Sequence, residues 1–212
     1  MTGCPACWPP ATCSAPAGSV RSRPTCSPGK TVAVVGDGAV ALLAVMAAWQ
    51  LGAERIIAMS RHESRQDLAL EFGATDIVTE RGDDGVATVR ELTGGLGAHS
   101  VIEAVGTQES MMQAIRSARP GGHVGYVGVA HDVELPGREL FFSHVRLHAG
   151  PAQVRRFLPE LIDLIWNRQI DPGQVFDLTL PLDPAAEGYR AMDERPAIKT
   201  LLRPSAVCAA GR

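Results

Sequence analysis

The residues that could do chemistry gather in two short stretches. The first is Gly36-Asp37-Gly38-Ala39-Val40-Ala41, with the spacing G-x-G-x-x-A. The first glycine permits a tight strand-to-helix turn. The second lets a pyrophosphate approach bare backbone, and the small third residue lets the helix lie close to its strand. Unpaired N–H groups and the positive end of a helix starting near Ala39 would face the phosphates. The same pattern also fits a close-packed turn that holds no ligand. A preceding strand, a following helix and a second strand ending about 24 residues on supply the context that favours a dinucleotide.

The second stretch is Met59-Ser60-Arg61-His62, followed by Arg65. It ends the second strand, where an NAD site usually places Asp or Glu to accept from the ribose hydroxyls. A carboxylate there would repel a 2′-phosphate, whereas Ser60, Arg61, His62 and Arg65 would bind one. The expected cofactor is therefore NADP(H) in preference to NAD(H). The alternative is a solvated helix start, although cations there oppose the helix dipole. The missing acid also argues against an S-adenosylmethionine site.

Metal-ligating residues are less organised. Cys4-Pro-Ala-Cys7 looks like half a zinc or redox site, but Cys13 and Cys26 form no second close pair. His144 and His148, placed on a strand, would share a face about 13 Å apart, too far to share a metal. No catalytic residue and no metal ligand is assigned.

These stretches need elements to hold them. From Lys30, "KTVAVVG" reads as a buried strand and "AVALLAVMAAWQLGA" as a helix stopped by Gly52. "RIIAMS" is a second strand. "ESRQDLALEFGA" is an amphipathic helix with Leu68, Ala69 and Phe72 on one side. "TDIVT" is a strand, and "DGVATVRELTGG" a helix with Val86, Val89 and Leu92 inward. "HSVIEAVG" is a fourth strand. A helix capped by Thr107 and stopped by Pro120-Gly121 follows, then a fifth strand, "HVGYVGV". Such alternation predicts a doubly wound parallel α/β sheet, the Rossmann fold, with its ligand crevice at the carboxyl ends of the strands. Beyond it, "HVRLHAG" reads as a strand and "PAQVRRFLPELIDLIWNRQ" as a helix with Phe157, Leu161, Leu164 and Ile165 on one face. "QVFDLTLPL", "PAAEGYRAMDE" and "AIKTLL" read strand, helix, strand.

The bulk properties agree with one domain or one and a half. The chain has 212 residues and a net charge of −3, which gives no reason to expect nucleic acid or an anionic membrane as partner. The uncharged run Gly38 to Ala53 is shorter than the ~20 residues that span a bilayer. With no secretory signal, a cytoplasmic location is expected. Residues 1–29 are rich in proline and cysteine and, to residue 28, free of acids. They read as a disordered or misassigned tail. The expected organisation is this tail, a cofactor domain over 30–148, a C-terminal segment over 149–204 and a frayed end over 205–212.

Taken in order, "GKTVAVVGDGAVALLAVMAAWQLGAERIIAMSRH", "EFGATDIV", "VIEAVGT", "ARPGGHVGYVGV" and "AIKTLLRP" resemble the zinc-dependent medium-chain alcohol dehydrogenases from about Lys30 to Pro204. The resemblance implies hydride transfer between an alcohol and NAD(P), with the alcohol oxygen on a zinc ion. It implies that Ala39 and Val40 offer N–H groups to the pyrophosphate beside Gly36 and Gly38. Val105 and Gly106 would line the cofactor near its ribose, and Gly128 and Val129 would sit against the nicotinamide. Lys199 would reach the cofactor phosphates, or else be a surface lysine. The family's N-terminal domain with its zinc ligands has no counterpart here, so the chain reads as a truncated cofactor-binding half. The segment after Ala149 would be an orphan of the catalytic domain, and an alcohol or carbonyl substrate would bind only if that domain were supplied. "FFSHVRLHAG" could give a sheet edge for a homo-oligomer. The competing class is a non-catalytic nucleotide-binding protein or inactive fragment.

Overall fold

The computed structural model describes residues 28–128, 132–150 and 154–204. The Cys4–Cys7 pair, Cys13, Cys26 and Val129 lie outside them. The chain packs as two compact units, divided between Ile170 and Asp171.

In the first unit, strands β1 (Thr31–Val35), β2 (Arg55–Met59), β3 (Asp76–Val78), β4 (Ala98–Glu103), β5 (Ala118–Tyr126) and β6 (Arg146–Ala149) form one sheet. Its order is β3-β2-β1-β4-β5-β6, and every neighbouring pair is parallel. This is the doubly wound topology, and the order reverses between β1 and β4, where such sheets open a crevice. Helices α1 (Ala39–Gln50), α2 (Glu63–Glu71), α3 (Gly82–Leu92) and α4 (Gln108–Ser117) make the crossovers. Strands covered on both faces need continuous apolar runs rather than alternation. Val32 to Val35 and Ile56 to Met59 are accordingly buried without a break. The central core joins Ala33, Val35, Ile57, Val78, Val101 and Val124, with Val89 of α3 and Ala114 of α4 packed on it. In α2, Ala69 and Phe72 are buried and Leu68 half-buried, the face expected of it.

Thr107 caps α4 as expected. Its hydroxyl accepts from the Ser110 N–H, and the Ser110 hydroxyl accepts from the Thr107 N–H, a capping box that satisfies two end donors. The end of α4 differs from expectation. The helix stops at Ser117, and Pro120-Gly121 lies inside β5. Four residues, Arg119 to Gly122, stand between the β4 partners Ala118 and His123, where β4 has only His99. A proline without an N–H and a glycine at φ 77° are tolerated in such a bulge.

Helix α5 (Gly137–Ser143) was not expected; it ends at His144 in a left-handed conformation, φ 57°. His144 is thus a helix cap and not a strand residue; only His148 sits on β6. Strand β6 closes the sheet as an edge, and Phe141 and Phe142 just before it are exposed, 76% and 71%. Helix α6 (Val154–Trp166) half-buries Phe157, Leu161 and Leu164, but Ile165 faces outward with Leu158 and Ile162. No helix of the described residues is long and apolar enough to cross a membrane.

In the second unit, a 3-10 turn (Pro172–Val175) leads to β7 (Leu178–Pro181), which pairs in parallel with β8 (Thr200–Arg203) through helix α7 (Ala185–Asp193). Gly188 lets α7 lie on β8: an added Cβ would stand 2.7 Å from Thr200 Cγ2. The Asp177 carboxylate accepts from the N–H groups of Ile198 and Lys199, which fixes the approach to β8.

Candidate cofactor site

The glycine turn lies at the carboxyl end of β1. Gly36 has φ 120°, a conformation that disfavours any side chain, and an added Cβ would stand 2.9 Å from Val105 Cγ2. Its N–H donates to the Met59 carbonyl at 3.3 Å, which ties the turn to the end of β2. Gly38 is the N-cap of α1 in an extended conformation, and a Cβ there would meet nothing within 4 Å. Open space therefore lies against bare backbone where the helix presents N–H groups without intrahelical partners, those of Ala39 and Val40 among them. Ala41 is buried, so its small size is used for packing α1.

A cleft opens beside this turn, lined among others by Gly36, Ser60, Arg61, Thr79, Arg81 and Val105. It sits at the carboxyl ends of β1 to β4, the crevice that the strand order predicts. Arg61 is exposed at its wall. Arg81, the N-cap of α3, supplies a second cation that sequence reading missed, since nothing local marks it as facing this cleft.

The four residues expected to bind a 2′-phosphate do not behave alike. Three of them converge on Asp37, the middle residue of the glycine turn. The Ser60 hydroxyl donates to Asp37 Oδ2 at 3.1 Å, and His62 Nδ1 lies 2.6 Å from the same oxygen. Arg65 Nη1 donates to Asp37 Oδ1 at 3.3 Å and to its carbonyl at 3.4 Å. Asp37, Ser60 and Arg65 are buried, and His62 is half-buried. Burial by itself would raise the Asp37 carboxyl, but the hydrogen bond and charge of His62, with Arg65 and Ser60, hold it below the ordinary carboxylate value. Only Arg61 of the four stands clear of this cluster and against the cleft.

The far wall comes from the loop after β4. Glu103 is fully buried at the end of that strand, and its Oε1 accepts from the N–H groups of Val105 (2.7 Å) and Gly106 (2.8 Å). The loop is thereby curled toward the cleft, with the Val105 side chain exposed beside Gly36. Gly128 follows β5 alongside: an added Cβ would stand 2.8 Å from Gly106 Cα, so backbone packs on backbone there. The family resemblance pointed to Val105, Gly106 and Gly128 and not to Glu103, whose signal was an acid inside the apolar run "VIEAVG". Lys199 lies in the second unit, just before β8. No group of three or more His, Cys, Asp or Glu side chains among the described residues could hold a metal ion.

Comparison with known proteins adds to this geometry. A family model described as zinc-binding dehydrogenase matches residues 39–167. A probable zinc-binding alcohol dehydrogenase of Mycobacterium tuberculosis is 38% identical over 191 residues, 88% of this chain and 48% of that protein. The NADP-dependent isopropanol dehydrogenase of Entamoeba histolytica is 32% identical over 184 residues, 82% of this chain and 50% of its own length. Among solved structures, an alcohol dehydrogenase from Thermus sp. ATN1 superposes with a TM-score of 0.76 at 32% identity, covering 84% of this chain and 53% of that one. The chain thus spans about half the length of the curated relatives it matches.

Proposed function

The chain belongs to the zinc-binding dehydrogenase family, and on that premise we propose that it is the NADP(H)-binding part of an alcohol-dehydrogenase-like oxidoreductase. The observation that carries this reading is the cleft at the sheet's reversal point. Gly36 and Gly38 leave bare backbone and open space there, and no acid ends β2. The residues present fit a dinucleotide. The first turn of α1 would hold the pyrophosphate through the Ala39 and Val40 N–H groups. Val105 and Gly106 would bound the ribose, and Gly128 would sit against the nicotinamide. Bound there, the nicotinamide would supply the hydride acceptor or donor for an alcohol–carbonyl pair.

Preference for NADP(H) rests on Arg61, a charged donor on the cleft wall suited to a phosphate dianion. Two relatives named as NADP-dependent isopropanol dehydrogenases, from Entamoeba histolytica and Thermoanaerobacter brockii, point the same way. The free edge of β6, with Phe141 and Phe142 beside it, supports pairing of two copies along that edge. A non-catalytic nucleotide-binding protein is the second reading, since the same glycine turn and cleft would hold a dinucleotide without further chemistry.

Titration of NADPH and NADH, followed by nicotinamide fluorescence, tests the cofactor reading. NADPH should bind more tightly, and Arg61→Ala should weaken NADPH by tenfold or more, the loss of about 1.5–3 kcal/mol from a charged hydrogen bond. NADH should be little affected. Equal affinities, or equal losses, would overturn the preference. Alcohol oxidation with added zinc separates the two functional readings: turnover supports the enzyme, and binding without turnover the binding protein.

A further inference from the structure

The end of β2 lacks an acid in sequence, yet an acid stands there in space. Asp37 reaches across from the glycine turn and takes the Ser60 hydroxyl, His62 and Arg65 as partners. We infer that Asp37 is a specificity-determining residue, whose carboxylate weakens the discrimination between phosphorylated and unphosphorylated cofactor that Arg61 sets up. The inference rests on the reading of this cleft as the NADP(H) site.

Three features of the cluster carry it. The first is charge. Asp37 and Arg65 are both buried and lie 3.3 Å apart, so the one cancels the other and Arg65 adds little net attraction for a phosphate dianion. The second is donor direction. A hydroxyl has one proton, and that of Ser60 is directed at Asp37 Oδ2, so Ser60 offers an incoming phosphate lone pairs rather than a donor. The third is acceptor capacity. A carboxylate has about four lone-pair sites. Ser60 and His62 use Oδ2 and Arg65 uses Oδ1, which leaves one lone-pair site for a hydroxyl donor such as the ribose 2′-OH of an unphosphorylated cofactor. The Gln66 side chain donates to the Ser60 carbonyl at 2.9 Å and holds the end of β2 in this register. Arg61 is left to favour the phosphate while Asp37 opposes it, and Glu80 and Glu109 add negative charge to the same cleft wall.

The experiment compares Kd values of NADPH and NADH for the full chain, Asp37→Asn and Arg61→Ala, with circular dichroism to verify folding. Asn keeps an acceptor for Arg65 and removes the charge. The NADPH-over-NADH affinity ratio should rise roughly tenfold in Asp37→Asn, the change that 1.4 kcal/mol produces. If that variant does not fold, Asp37→Ser, neutral and shorter, should shift the ratio in the same direction. A ratio that stays level or falls in the neutral variant, while Arg61→Ala lowers it, overturns the role of Asp37 and leaves the cofactor reading standing. A ratio that Arg61→Ala does not move overturns the cofactor reading, and the role of Asp37 with it.

Discussion

Replacing Glu103 should loosen the wall of the cleft in a measurable way. Its Oε1 accepts from two N–H groups, and the residue is fully buried. In Glu103→Ala the Gly106 N–H, which is buried, loses its partner and cannot turn to water. That costs the desolvation of the donor, about 1–3 kcal/mol. The Val105 N–H is only partly buried and recovers some hydration, so its loss is nearer the net value of an ordinary bond, about 0.5–1.5 kcal/mol. Together the loss is about 1.5–4.5 kcal/mol. For a domain of this size each kcal/mol moves Tm by about 2–4 °C, so Tm should fall by roughly 3–18 °C. Glu103→Gln keeps the accepting oxygen but puts an amide NH2 where the buried Oε2 has no partner, so it should lose part of the same stability. Thermal unfolding followed by circular dichroism reads both variants. The reasoning is refuted if Glu103→Ala unfolds at the wild-type temperature.

Other expected outcomes follow from the same geometry. In Gly38→Ala the new Cβ meets open space, so stability should change by less than about 1 kcal/mol. Its affinity for either cofactor should nevertheless fall, since the methyl group stands where the pyrophosphate would approach; calorimetry and fluorescence titration check the pair. Gly128→Ala should destabilise by about 1–3 kcal/mol, because the Cβ meets the Gly106 backbone, which cannot rotate away. Denaturant unfolding at matched m-values measures this. The Asp37 carboxyl is held below its ordinary value of 3.8, so the folded state binds fewer protons there than the unfolded chain. Its contribution is complete above that value and lost as pH falls through the lowered one. An acid-unfolding curve should therefore flatten in Asp37→Asn over that window. Burial and the nearby charges of Arg119 and Lys30 lower the His99 value from 6.5. Stability should accordingly decline as pH falls below 6.5, and His99→Gln should remove that part of the decline.

The alternation of apolar runs with amphipathic segments was enough to determine the parallel sheet, because strands buried on both faces and helices packed on them leave different periodicities in the chain. The G-x-G-x-x-A turn and the Thr107 cap were legible for a similar reason: each depends on residues a few positions apart. Local signals did less well where the backbone answers to a neighbour. Pro120-Gly121 looks like a helix stop, but it lies in a bulge, because β5 had to pair with β4 on either side of it. His144 looks like a strand residue, but it caps α5. The far wall of the cleft was half legible. Val105, Gly106 and Gly128 came only from the family resemblance, while Glu103, which holds the loop, is a lone acid whose partners only the folded loop supplies. What the tertiary structure alone decided is the fate of Ser60, His62 and Arg65. As a string they are a cationic, donor-rich end to β2. Folding brings Asp37 against them from 23 or more residues away, through the β1–β2 pairing that sets the two strand ends side by side. Charge acts through space rather than along the chain, so an acid absent from the motif's usual position still lies within hydrogen-bonding distance of it.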